Sequence, residues 1–272
     1  MKILTRTALA SLLVWLPLFG QSAQVLTIPQ VVDGGGWQST IVLTNSTAAA
    51  ATATLIFHSE TGDSSGNTQP WSPPLQEVSS TSGLVLPPSS SLYLHTSGTA
   101  AALTVGWAEL DADAGIVAYV VFTNSRPAGG VQYDEGTAPA VAATNRIMVP
   151  YDDASGFVTA IAIVNPTAAA QTISVGFRTV DGLVAVSALP TVPAMGHMAF
   201  VLSQTFPVIA GHRGLAEFYS ATGNISMIGL RFNPTQSFTA APVFFQTGPP
   251  MITAPSGSGG GGYDTCGGGY TY

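Results

Sequence analysis

The residues with the most obvious chemical potential lie in Gly62-Asp63-Ser64-Ser65-Gly66, which fits Gly-x-Ser-x-Gly. Hydrolases use that pattern to expose a nucleophilic serine on a sharp turn between a strand and a helix, where the following N–H helps build an oxyanion hole. A strand-like run, Thr54 to His58, precedes Ser64. After it come Pro70, Pro73 and Pro74, three prolines in five residues, which exclude the helix. The matching loop later in the chain, Thr179 to Val186, contains no serine. GDSSG therefore reads as a turn.

Other candidates are equally incomplete. Asp111 and Asp113 have the spacing that opens many calcium loops, but no closing bidentate glutamate follows. The acidic clusters Tyr133-Asp134-Glu135 and Tyr151-Asp152-Asp153 could meet a cation between domains, with solvation the default. Glu109 and Glu217 occupy matched positions and read as structural if each finds an arginine. His58, His95, His197 and His212 show no metal-ligand spacing. The Gly-rich C-terminus has neither the strand before it nor the helix after it that a phosphate cradle needs. No catalytic, cofactor-binding or metal-ligating residue is expected. Trp71, in a proline-rich stretch without a counterpart, is the aromatic left free to meet a sugar or a protein.

The two ends have their own signatures. Lys2 and Arg6 precede an apolar run from Ala8 to Phe19, and Gly20, Ser22 and Ala23 offer a cleavage site, so residues 1–23 read as a signal peptide. No later stretch resembles a membrane-spanning helix. Residues 249–272 are rich in Gly, Ser and Pro and read as a flexible tail. That tail holds the single cysteine, Cys266, which could crosslink chains in an oxidising compartment. Beyond Arg6 the bases are five arginines against fourteen acids, which gives nucleic acid no electrostatic footprint. Charged residues are 8% of the chain, against about 25% in an average soluble domain.

The chain between these ends is written twice. WQSTIVLTNSTAAAATATLIFHSETG from Trp37 matches FVTAIAIVNPTAAAQTISVGFRTVDG from Phe157 at an offset of 120. GWAEL from Gly106 matches GLAEF from Gly214 at 108, and IVAYVVFTN from Ile116 matches ISMIGLRFN from Ile225 at 109. Within each copy, runs rich in Val, Ile, Thr and aromatics alternate with turns of Gly, Pro, Asn and Asp. Strands are expected at Ser39–Thr44, Ala53–Phe57, Leu92–His95, Leu103–Leu110 and Ile116–Thr123. In the second copy they are expected at Ala160–Val164, Ile173–Phe177, Met198–Leu202, Leu215–Tyr219 and Ile225–Phe232. Ala48–Ala51 and Ala168–Ala170 are too short to nucleate helices and read as turns leading into strands. The expected fold is all-β, two tandem immunoglobulin-like sandwiches spanning residues 25–144 and 145–248. Trp37, Phe57, Trp107, Phe177 and Phe218 are expected in the cores.

GGGWQSTIVLTNSTAAAATATLIF, with GHRGLAEF and LRFNPTQSFTAAPV, resembles a tandem repeat found in secreted proteins of soil bacteria. The pattern around Asn45 and Asn165 is also similar to bacterial cell-surface Ig-like families. The resemblance covers about 220 residues and implies β-sandwiches outside the cytoplasm, without catalytic residues to carry over. The expectation is a non-enzymatic structural or adhesive protein whose partner is a protein, a cell-surface polymer or another copy of itself. A carbohydrate-binding accessory module acting through Trp71 is the alternative.

Overall fold

Strands form where one side chain in two is apolar. In β2 (Trp37–Asn45), Ile41 and Leu43 point into the core while Thr40 and Thr44 point away. The computed structural model describes residues 22–62, 68–127 and 131–254, and over them the protein is all-β with several antiparallel sheets. The remaining strands of the first half are β1 (Ala23–Asp33), β3 (Ala51–Gly62), β4 (Thr68–Trp71), β5 (Leu84–Leu86), β6 (Ser90–His95), β7 (Thr104–Asp113), β8 (Ile116–Pro127) and β9 (Val131–Pro139). The second half continues with β10 (Arg146–Asp152), β11 (Val158–Val164), β12 (Ile173–Thr179), β13 (Val184–Ala188) and β14 (His197–Val201). It closes with β15 (Arg213–Ser220), β16 (Ser226–Phe232), β17 (Phe238–Ala241) and β18 (Phe244–Gln246).

Four sheets result. The first half has β1-β7-β3-β4, with β5 also on β3, and β6-β2-β8-β9. The second has β18-β10-β15-β12-β13 and β14-β11-β16-β17. One apolar cluster fills the space between the first pair, built on Ile41, Leu43, Leu55, Leu94, Leu110 and Phe122. Another fills the second, built on Ile147, Ile163, Val175, Phe177 and Phe218. This is the layered packing of a sandwich. The strand order departs from the immunoglobulin one. β7 and β8 are consecutive yet lie in different sheets, and β1 occupies the place beside β7 that the following strand would take.

Where the chain turns from β1 to β2, Gly34, Gly35 and Gly36 all have positive φ, a region that side chains with a Cβ resist. Asn45 then ends β2. Its Nδ2 donates to the carbonyls of Ala49, Leu86 and Pro87, and its Oδ1 accepts from the Thr47 N–H and hydroxyl. Asn165 repeats the arrangement with Ala169, Val192, Pro193 and Thr167. Both asparagines are fully buried, and a buried amide so satisfied locks the loop it bridges.

Two differences from the sequence expectations have physical causes. The strand expected over Met198–Leu202 stops at Val201, because Leu202–Thr205 forms a helical turn, α1, followed by a 3-10 turn at Pro207–Ile209. These turns carry Leu202, Phe206 and Ile209 into the core. Trp107 is fully buried but sits in neither sandwich core. Ala108 and Leu110 are the inward residues of β7, so Trp107 faces the other way, toward the second half.

Candidate functional site

Trp71 closes β4 and forms one wall of a cleft of about 550 Å³ between β3 and residues 72–82. The indole packs edge-on against Phe57, with centroids 6.1 Å apart, and a Cβ at Gly106 would come within 3.0 Å of the ring. Glycine at that position lets the indole lie down on the sheet. The rest of the lining is Leu, Ile, Val, Pro and the hydroxyls of Thr54, Ser72, Ser79, Ser80, Thr81 and Ser82, with no ionisable side chain. Hydroxyls can exchange hydrogen bonds and an aromatic wall can stack, but none of these groups exchanges protons near neutral pH. The cleft can bind and is not equipped for acid–base chemistry.

Ionisable residues singled out in the sequence hold the chain to itself. The Asp113 carboxylate accepts the Thr52 N–H at 2.7 Å and its hydroxyl at 3.0 Å. Asp152 bridges Arg213, at 2.9 Å, and Arg231, at 2.6 Å, and these contacts outweigh its burial and hold its pKa below the ordinary value. Asp153 accepts from the Ser203 hydroxyl and the Gly211 N–H. His95 meets Glu77, and His212 meets Asp181. Ser64 and Cys266 lie outside the described residues.

The matched glutamates part company. Glu217 is 1% exposed, and its carboxylate accepts the N–H groups of both Met251 and Ile252, with Arg146 Nε 3.8 Å away. Arg146 donates in turn to the Pro249 carbonyl, and Asn145 exchanges bonds with Gly248. Residues 248–252 are thereby strapped across the outer face of the sheet, and the Ile252 side chain lies over Gly176, where an added Cβ would come within 2.7 Å of it. Glu109 has no such strap. Register matches Gly176 to Ile56, whose side chain fills its own place. Burial, and then the neighbouring Asp111, push the Glu109 pKa up.

Sequence reasoning also missed a polar joint between the halves. Trp107 Nε1 donates to the Met195 carbonyl at 3.0 Å while its ring stacks on His58, 4.3 Å away. His197 Nε2 lies 2.9 Å from Gln30 Oε1, and its Nδ1 is 3.6 Å from Glu60. Glu60 also accepts the Ala199 N–H. Burial alone would raise the Glu60 pKa; His197, by hydrogen bond and charge, and Ala199 outweigh it and hold it down. Burial lowers the His58 pKa. The one legible signal was that His58 and Trp107 stand where the second copy has Arg178 and Leu215.

Among the described residues no group of three or more His, Cys, Asp or Glu is placed to hold a metal ion, and no helix is long and apolar enough to cross a membrane. In comparisons with known proteins, no family model and no curated protein matches the chain.

Proposed function

We propose that this is a non-enzymatic structural or adhesive protein, exported to the cell surface, the periplasm or the medium, and built from two copies of one immunoglobulin-like sandwich with a rearranged strand order. One observation carries the reading: the same asparagine clamp recurs in both halves with the same strand order apart from β18, and carboxylates singled out for their chemistry brace loops, straps and the joint instead. Repeated rigid sandwiches present surfaces, and function on such a scaffold lives in what is grafted onto it. The low charge and the Gly-rich composition after Ala254 suit assembly or attachment, in which Cys266 would supply a crosslink. In cell fractionation with its own leader, the full chain is expected in the exported and surface fractions. A chain that stays cytosolic, or that a serine-reactive phosphonate labels unless Ser64→Ala is present, overturns this reading.

The Trp71 cleft favours a second reading, a carbohydrate-binding accessory module. Hydroxyls beside an aromatic wall suit a sugar's mix of polar edges and apolar faces. A polysaccharide pull-down tests it. Binding lost in Trp71→Ala supports it, and binding unchanged in that variant removes the cleft from consideration.

A further inference from the structure

The outer face of β14-β11-β16-β17 is already an interface inside this chain. Ala162 of β11 and Ile228 of β16 point away from their own core and join the apolar cluster of the first half, with Leu230 packed beside them. The offsets of 120 and 109 match Ala162 to Val42 and Ile228 to Tyr119. Among the described residues, the same face of β6-β2-β8-β9 leaves large apolar side chains exposed. There Tyr93, Val42, Tyr119 and Pro139 stand side by side across all four strands. Tyr93 is 52% exposed and Tyr119 40%, with Val117 at 56% one step along β8. Val42, between the two tyrosines, is only 2% exposed. Single exposed apolar residues are ordinary, whereas exposed tyrosines and valine gathered in register on one sheet face mark a contact surface.

From this we infer that the Tyr93–Tyr119 face docks the second half of another copy of the chain, a contact that rests on the duplication proposed above. Inside the chain, the first half reaches the covered face through the ends of β1, β3, β7 and β9, where Gln30, Glu60 and Trp107 make their contacts. Among the described residues, no other half packs on the corresponding ends of β10, β12 and β15. They present Val180, 83% exposed, with Arg178 and Arg213 exposed beside it, and a cleft of about 320 Å³ that also holds Arg231.

The two halves also differ in charge. Nine of the fourteen acids lie between residues 25 and 144, where Arg126 is the only arginine or lysine, while residues 145–248 balance four arginines with Asp152, Asp153, Asp181 and Glu217. Glu135 is exposed on the receiving face, next to Thr123 in the register of β8 and β9. The two faces are not identical, because Tyr93 stands where the covered face has Ala199. A ring in place of a methyl holds the incoming copy farther off, so this contact is reversible where the internal joint is permanent. A head-to-tail contact of this kind builds a ring where the rotation between copies closes and an open chain where it does not.

Sedimentation velocity on the full chain under reducing conditions tests it. Two variants each remove one side of the contact: Tyr93→Asp with Tyr119→Asp, and Arg178→Glu with Val180→Asp, all at exposed positions so that folding is retained, as circular dichroism would verify. The wild type should form concentration-dependent multimers, and each variant alone should associate about tenfold or more weakly. Mixing the two should restore a dimer that grows no further, because each pair keeps one intact contact. A wild type that stays monomeric, a mixture that stays monomeric, or a symmetric dimer that survives in both variants overturns the inference. So does a polysaccharide, rather than a second copy, lost on Tyr119→Asp. A monomer that still reaches the cell surface sinks this contact while leaving the proposed function standing.

Discussion

Glu109 and Glu217 stand at the same register position on β7 and β15, flanked by Thr27 and Ile56 in one half and by Met148 and Gly176 in the other. One is half-exposed and unstrapped, and its pKa is pushed up. The other is sealed under residues 248–252 and satisfied by two successive backbone N–H groups. A single neighbour accounts for much of the difference. Ile56 fills its own position, while glycine at 176 leaves a hollow that only another segment can fill, and Ile252 fills it. Duplicated units thus keep their frame and diverge where a side chain's absence lets the chain dock on itself.

The largest expected effect breaks that comparison at its centre. Glu217→Ala removes the acceptor for Met251 and Ile252 and leaves Arg146 buried beside an apolar methyl. Loss of one partner of a buried ion pair costs about 3–5 kcal/mol. Glu109→Ala should stay within about 0.5 kcal/mol. Chemical denaturation of both variants checks this, and equal costs would mean that the strap contributes nothing.

The next effect tests what the halves share. Asn45→Ala and Asn165→Ala each strand three carbonyls and a threonine pair that the amide had served. Each should cost about 2–3 kcal/mol, with the two values close to one another. Thermal unfolding of the pair would show it, and a large inequality would argue that the clamps only look alike.

The smallest effect is in the pH dependence, where Glu109 and Glu60 should move in opposite directions. Glu109 has a raised folded pKa, so its favourable contribution is present below the unfolded value and lost as pH rises above about 4.5 through the folded one. Glu60 is lowered, so its contribution is present above that value and lost as pH falls through the folded pKa. Relative to wild type, Glu109→Gln should gain stability as pH rises from 4 to 7, and Glu60→Gln should lose it. Both shifts stay below about 0.5–1 kcal/mol, because solvent screens groups this exposed. Denaturation midpoints across that range give the two signs.

Much of the frame is legible in the sequence. Ile41 and Leu43 in β2, and Ile161 and Ile163 in β11, alternate as half-buried strands should, and their constant offset announces the second copy. β1 is harder, since Pro29 falls in its middle and the register shifts between Ile28 and Val31, as at a bulge. The contact surfaces are the least legible. Ala160 and Ala162 read as ordinary outward positions of a strand, and nothing local says that another half will cover them. Trp107 looks like a core residue because size and apolarity do not tell which side of a sheet is inside. The Trp71 cleft takes its walls from two separate segments, and only folding brings them together.

The strap at residues 248–252 has a mechanical consequence. A load applied at Ala254 would reach the sandwich through the carboxylate of Glu217 and the guanidinium of Arg146. Those few bonds act as a sacrificial latch. Under tension the strap can peel while Asn165 and the apolar interior still hold the sandwich closed, so the chain can yield a short length before the domain itself begins to fail.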